Sequence, residues 1–140
     1  MTQPMTLRYV AAFAVLASVA IHLTLWFQGM RSVHVIGPAF LLNVAAGIVI
    51  AVLLVRWPHP GAGVLAACFG MATLGAFTLA STIGLFGDHE RWQGFSVFAA
   101  ATVEILAVVT GLAIMLEDPE PVTAPVRTQS ASASNRSDRA

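Results

Sequence analysis

The sequence predicts an all-α integral membrane protein, a four-helix bundle made of two helical hairpins. Three observations carry this prediction: 57% of the residues are apolar, only 10% are charged, and the apolar residues fall into four long runs. Soluble domains carry about 25% charged residues. An apolar run of about 20 residues is long enough to cross a bilayer as a helix. The mean hydropathy of +0.79 agrees with the membrane class.

The predicted membrane domain covers residues 8–117 and follows a short N-terminal segment, residues 1–7. Each apolar run gives a helix of about 28 Å or more, against a hydrocarbon core of about 30 Å. A signal peptide is the alternative for the first run, because Arg8 precedes it. That run ends in Trp26 and Phe27 and lacks a small-x-small cleavage site, which favours a span. We expect the four spans at about 9–27, 34–55, 62–86 and 92–116.

Breaks in the apolar pattern separate the spans and end the domain. Residues 56–61 contain two prolines on either side of His59, a pattern that cannot continue a helix. Beyond Leu116 the chain is rich in Ser, Ala, Arg and Pro and has no apolar periodicity, so we expect residues 118–140 to form a disordered polar tail. Because the connections are short, consecutive helices should be antiparallel neighbours.

Charge and composition indicate where the protein is located and which partners it can have. All seven basic residues are arginine, which suggests a GC-rich bacterial genome. Arg8 and Arg56 fall on the side of the termini and Arg31 and Arg91 on the other, with Arg127 in the tail. We therefore predict a protein of the bacterial plasma membrane. The positive-inside rule favours an orientation with both termini in the cytoplasm. The formal net charge of zero argues against nucleic acid as a partner, and the apolar runs predict the lipid bilayer as one.

Each predicted span carries one polar residue at a similar depth, namely His22, Asn43, Thr73 and Glu104. Counted from the side of the termini, these depths are about 17–20 Å. Glu104 is the only acidic residue inside an apolar run, where a charge costs about 2.5–3.5 kcal/mol or more. We therefore expect Glu104 to be protonated, or charged and paired with His22, and Asn43, which has both a donor and an acceptor, could bridge them. Ser18, His22 and Trp26 recur at i, i+4 and i+8 and predict the inward face of the first helix.

Two interpretations of this polar layer stay open. Polar side chains between transmembrane helices often only hold the helices in register, at about 0.6 kcal/mol each. The protein is then a non-enzymatic membrane component or accessory subunit. An acid inside the membrane is also a functional candidate by default. The protein is then a quinone- or redox-associated subunit, or a small proton-coupled transporter that uses Glu104 and His22. No phosphate loop, nucleophile elbow or zinc-protease motif is present, so an enzyme is the less favoured class.

Further polar and small residues are weaker candidates. A second cluster, on the side away from the termini, consists of His34, Asp88, His89 and Glu90. Its spacing matches no known metal-ligand pattern, so we predict a solvated turn and no metal site. His22 could ligate haem, but no second histidine lies at its depth, and the cofactor stays open. The single cysteine, Cys68, excludes an intrachain disulfide. Small residues every four positions predict a helix-packing face, or a contact with a second copy or a membrane partner: Ala72, Ala76, Ala80 and Gly84.

The sequence also resembles that of a known family of membrane proteins. The residues that carry this resemblance are His22, the run HVIGPAFLLN from His34 to Asn43, GLFG from Gly84 to Gly87, His89–Glu90, and Glu104. Over residues 8–116 the chain resembles small, uncharacterised four-span membrane proteins of actinobacteria. Its plan is also similar to that of the DoxX-like four-helix membrane proteins, some of which are associated with quinone-linked sulfur oxidation. The resemblance implies a four-span membrane fold and assigns no activity to individual residues.

Overall fold

The computed structural model describes residues 3–82 and 95–116 of the chain. Within these ranges every regular element is helical, which confirms the all-α four-helix prediction. All four α-helices are long and apolar enough to cross a membrane. The elements are α1 (Gln3–Gln28), the short 3-10 helix η1 (Met30–Ser32), α2 (Ile36–Arg56), α3 (Pro60–Thr82) and α4 (Phe95–Leu116).

The helix ends differ from the predicted ones mainly at the N-terminus. Helix α1 begins at Gln3 and not at Tyr9, so most of the expected N-terminal segment is helical. Nothing in that segment breaks a helix, because Pro4 falls in the first turn, where its missing N–H has no partner to lose. The predicted ends at 86 and 92, and the predicted tail at 118–140, lie outside the described residues.

The connection between α1 and α2 depends on one glycine. Gly29 has φ 149° and ψ −22°, a backbone conformation that side chains with a Cβ rarely adopt. The Ser32 hydroxyl donates to the Gly29 carbonyl oxygen at 2.7 Å and holds the 3-10 turn closed. Pro38 lies in the first turn of α2, where its missing N–H costs least. The chain therefore reverses direction within a few residues.

The connection between α2 and α3 is tied to the start of α1 by a buried arginine. Arg8 is 8% exposed, and its Nη1 donates to the Trp57 carbonyl oxygen at 3.0 Å. Trp57 is the C-cap of α2, where carbonyl groups lack helical partners and carry the negative end of the helix dipole. The Trp57 ring stacks on the His59 ring at 4.7 Å, and Pro60 begins α3. Arg8 of α1 thus supplies a hydrogen-bond donor to a carbonyl group at the C-terminal end of α2.

Removal of this link should destabilise the bundle. Arg8→Ala is expected to lower the free energy of unfolding by about 1.5–3 kcal/mol, the range for a hydrogen bond made by a charged group. Arg56→Ala is the matched control, because Arg56 ends α2 at the same side of the bundle but is exposed. Thermal unfolding of both variants in one detergent measures the difference. Equal melting temperatures would contradict the role given to Arg8.

The four helices lie around a square in chain order. Helix α1 packs against α2 and α4, and α3 packs against α4 and, less extensively, against α2. No contact joins the described parts of α2 and α4, which lie on a diagonal. The largest interfaces are those within the predicted hairpins, α3 with α4 and α1 with α2. The interface between α1 and α4 then joins the hairpins, and it holds the polar site described below.

Glycines bring α3 and α4 into backbone contact. A Cβ added to Gly63 would lie 2.6 Å from the Gly111 carbonyl oxygen, and a Cβ added to Gly111 would lie 2.6 Å from that of Gly63. A Cβ on Gly70 would lie 2.6 Å from the Glu104 carbonyl oxygen. Small residues allow helix backbones to approach this closely. The small residues that make this contact are therefore not those of the predicted row at Ala72, Ala76, Ala80 and Gly84.

The predicted small-residue row is only partly used within the chain. Ala72 and Ala76 are exposed, Ala80 is buried, and Gly84 lies outside the described residues. Contact of this row with a second copy or a membrane partner stays a prediction.

The tightly packed core occupies one half of the bundle. Among the described residues, the apolar ones that are at most 1% exposed lie between the level of Glu104 and the end that carries the N-terminus: Ala11, Ala14, Val15, Leu54, Ala62, Ala66, Ala107 and Ile114. In the other half, the buried apolar side chains of the described residues retain more exposure, as for Ala80 at 5% and Ile36 at 9%. Glu104 therefore lies at the edge of a dry core.

Candidate functional site

Glu104 is buried because it lies on the inward face of α4. The buried residues of this helix include Glu104, Ala107, Gly111 and Ile114, which are three or four positions apart and share one face. The Glu104 side chain is 1% exposed. The pattern that packs α4 against its neighbours therefore carries a carboxyl group into the bundle.

Ser18 on α1 is the hydrogen-bond partner of this carboxyl group. The Ser18 hydroxyl donates to Glu104 Oε1 at 2.5 Å, and Ser18 is 0% exposed. No other hydrogen bond to the Glu104 side chain occurs among the described residues. A short, fully buried hydrogen bond thus joins α1 and α4 across their interface, which we call the seam.

His22 extends the group by one turn of α1. Its Nδ1 lies 2.9 Å from the Ser18 carbonyl oxygen and 3.2 Å from the Ser18 hydroxyl oxygen. A carbonyl oxygen can only accept, so Nδ1 carries the hydrogen and Nε2 has the free lone pair when His22 is neutral. The His22 ring packs against the Phe40 ring on α2, with 5.1 Å between the ring centroids. Contacts from two helices therefore position His22.

The three side chains lie in a row with Ser18 in the middle. His22 Nδ1–H donates to the Ser18 carbonyl oxygen and makes a longer contact with the Ser18 hydroxyl oxygen, and the single Ser18 hydroxyl proton goes to Glu104. The other carboxyl oxygen, Glu104 Oε2, is buried and has no hydrogen-bond partner in the described part of the protein. A buried polar atom without a partner is costly. Oε2 is therefore the carboxyl oxygen that still lacks a hydrogen-bond donor.

The structure divides the predicted polar layer into two groups. His22 and Glu104 belong to one group, but Ser18 joins them and Asn43 does not. Asn43 Oδ1 lies 3.5 Å from the Thr73 hydroxyl oxygen, and Asn43 Nδ2 is buried without a partner among the described residues. The Thr73 hydroxyl lies closer to the Phe69 carbonyl oxygen, at 2.9 Å, which therefore takes its one proton. The interpretation of Asn43 as the bridge is wrong, because neither its oxygen nor its nitrogen is hydrogen-bonded to His22 or Glu104.

Ser18 is the site residue that the sequence analysis did not include in the polar layer. Its spacing with His22 did predict an inward face of α1, and both residues are buried. A serine costs little to bury in any helix, since its hydroxyl can bond to its own backbone. Only the position of Glu104 across the seam distinguishes Ser18 from the other hydroxyl residues.

The second predicted cluster is described only in part. His34 is exposed, whereas Asp88, His89 and Glu90 lie outside the described residues. Within residues 3–82 and 95–116 no three His, Cys, Asp or Glu side chains are grouped so that they could hold a metal ion.

No protein-family model, curated protein or solved structure matches the chain. Function therefore has to be argued from the chemistry of Ser18, His22 and Glu104.

Proposed function

We propose that the protein is a small non-enzymatic component of the bacterial plasma membrane in which Glu104 reversibly binds a proton. The observation that carries this proposal is the buried group His22–Ser18–Glu104, in which the Ser18 hydroxyl donates to the carboxyl group and His22 Nδ1 lies 3.2 Å from the Ser18 hydroxyl oxygen. Four apolar helices support a multi-pass topology. The arginines on the side of the termini support cytoplasmic termini.

The arrangement of Ser18 argues against a hydrolytic enzyme. A nucleophilic serine gives its proton to a histidine nitrogen that accepts it. Here the Ser18 proton goes to Glu104, and the nearest histidine nitrogen carries a hydrogen of its own. Ser18 and Glu104 are also at most 1% exposed, which leaves no room for a substrate. A proton is the species that these three groups can exchange without any rearrangement of the helices.

The hydrogen-bond chain defines a balanced proton transfer. A proton taken up at His22 Nε2 allows Nδ1 to redirect its hydrogen from the Ser18 carbonyl oxygen to the Ser18 hydroxyl oxygen, 3.2 Å away, and to release it there. Ser18 then passes its original hydroxyl proton to Glu104 Oε1. The result is a neutral carboxylic acid, a restored hydroxyl and a neutral imidazole in its other tautomer. The reverse sequence returns the proton to the outside, so the site can serve a redox-linked subunit or a proton-coupled transporter.

Infrared spectroscopy of the protein in lipid tests this proposal. The wild-type protein should show a carboxylic acid C=O band that comes and goes with pH and shifts in D2O. Glu104→Gln should remove that band, since glutamine keeps the shape and the acceptor oxygen but cannot titrate. The wild-type minus variant spectrum separates Glu104 from the acids outside the four helices. A folded wild-type protein whose spectrum shows no titrating band assigned to Glu104 would leave the group only a role in helix register.

A further inference from the structure

We infer that Arg8, together with Arg56, binds the phosphate group of an anionic membrane lipid at the end of the bundle that carries the N-terminus. Arg8 lies on α1, three residues inside the start of the first span at Met5. Its Cα therefore lies about 5 Å from the edge of the hydrocarbon core, within reach of the lipid headgroups. This site is separate from Glu104 and does not depend on the function proposed for that residue.

Arg8 is a buried charge without a carboxylate partner in the described part of the chain. Its side chain is only 8% exposed. Glu104 is the one acidic residue within residues 3–82 and 95–116, and its partner Ser18 lies about 15 Å beyond Arg8 along α1. A buried charge without an opposite charge is costly. Arg8 therefore calls for an anion from outside the described residues.

The guanidinium group of Arg8 keeps two nitrogen atoms available for such an anion. Nη1 donates to the Trp57 carbonyl oxygen at 3.0 Å, which holds the group against the end of α2. Nε and Nη2 make no hydrogen bond with the described residues, and neither atom is fully buried. Their N–H groups share one edge of the guanidinium plane, and two parallel donors of this kind bind two oxygen atoms of one phosphate group. The bond to Trp57 thus leaves the phosphate-binding edge of Arg8 free.

The neighbours of Arg8 favour a lipid phosphate over a dissolved anion. Arg56 is exposed and directly precedes Trp57, so a second cation lies at the same end of the bundle. Tyr9 and Trp57 are 53% and 42% exposed, and such aromatic side chains are enriched at the level of the lipid headgroups. Basic pockets between transmembrane helices bind anionic lipid headgroups. Two arginines beside interfacial aromatic residues therefore match a phospholipid that carries a net negative charge.

Glu117 and Asp118 are the competing partners for Arg8. They follow Leu116, the last residue of α4, and lie outside the described residues. A pair between Arg8 and either carboxylate would neutralise the same charge without a lipid. The experiment therefore includes a variant that carries both Glu117→Gln and Asp118→Asn.

Quenching of Trp57 fluorescence by brominated lipids tests the site. Trp26→Phe and Trp92→Phe leave Trp57 as the only tryptophan, and this protein is placed in phosphatidylcholine bilayers. Brominated phosphatidylglycerol should reach half-maximal quenching at a lipid fraction at least about tenfold lower than brominated phosphatidylcholine does. Two arginines contribute to this preference, and each cation near an anionic headgroup is worth about fivefold in affinity.

Substitutions of single arginines separate this site from a general attraction between charges. Arg8→Lys keeps the charge and a donor for the Trp57 carbonyl oxygen, so the fold is retained. It should lower the lipid preference at least about fivefold, because lysine cannot bind two phosphate oxygens side by side. Arg56→Ala should also lower it about fivefold. Arg31→Ala is the matched control, since Arg31 is an exposed cation at the opposite end of the bundle, and it should leave the preference unchanged.

Four results would overturn the inference. Equal quenching by the two lipids would mean that no anionic lipid is bound. Equal losses in Arg8→Lys and Arg31→Ala would mean attraction by net charge alone. A preference that appears only in the Glu117→Gln, Asp118→Asn variant would assign a carboxylate to Arg8. Displacement of the lipid by inorganic phosphate, but not by sodium chloride at the same ionic strength, would assign the site to a dissolved anion.

Discussion

Gly111→Ala is expected to force α3 and α4 apart and to lower the free energy of unfolding by about 1–3 kcal/mol, the range for an overpacked core. The added Cβ would lie 2.6 Å from the Gly63 carbonyl oxygen and 2.7 Å from the Ala67 amide nitrogen. Both are backbone atoms, so no side chain can rotate to make room. Unfolding of the purified protein in detergent, followed by temperature or denaturant, measures the loss.

Gly75→Ala is the matched control for this prediction. Gly75 belongs to α3, and a Cβ added there meets nothing within 4 Å. Alanine is the better helix former by about 1 kcal/mol, so this variant should be neutral or more stable. Gly63→Ala should reproduce the effect of Gly111→Ala from the opposite helix, and the double variant should lose less than the sum, since one separation relieves both clashes. Equal stability of the Gly75 and Gly111 variants would contradict the close approach.

The same contact bears on the polar site. Gly70 packs against the backbone of Glu104 itself, so closely that a Cβ added to Gly70 would lie 2.6 Å from the Glu104 carbonyl oxygen. The position of α4 relative to α1, and hence the 2.5 Å bond from Ser18, depends on how closely α4 lies against α3. The glycines of α3 therefore contribute to the site without any contact to its polar atoms.

The four-helix architecture could be predicted from the sequence because one physical requirement determines it. A chain in a bilayer must satisfy its backbone hydrogen bonds internally, and four apolar runs of helical length leave few alternatives. Helix ends are less constrained. Residues before Tyr9 are polar enough for an interface and also compatible with a helix, so α1 extends to Gln3. The composition of that segment alone does not decide whether it is helical or an irregular interfacial segment.

The sequence predicts the site in part, and the missing part has a definite cause. Glu104 and His22 stand out because ionisable residues are costly inside a membrane. Depth along a helix does not determine which neighbour a side chain faces. Transmembrane helices are apolar on all sides, so no amphipathic pattern reports their rotation. Asn43 has a suitable depth but lies on α2, diagonally opposite α4, and Ser18 takes the place expected for it.

The choice between a functional site and a register lock can be made from the energetics of two pairs. A double-mutant cycle of Ser18→Ala with Glu104→Leu should give a coupling near 1.7 kcal/mol, about the largest measured between transmembrane helices. The reason is a 2.5 Å bond between fully buried partners. The matched pair Asn43→Leu and Thr73→Val should give about 0.6 kcal/mol or less. Its oxygen atoms are 3.5 Å apart, and the Thr73 proton is directed to Phe69.

The pH dependence of these couplings then separates the two roles. Ser18 donates, so its bond to an ionised Glu104 should be roughly twice as strong as its bond to the neutral acid. A Glu104 that titrates must therefore give a coupling that rises as pH rises through its titration, while the Asn43–Thr73 coupling stays constant. A Ser18–Glu104 coupling that is large but independent of pH would mean that the carboxyl group never changes its protonation state. The pair would then lock α1 to α4 and do no more, since a group that holds its proton at every pH cannot transfer it.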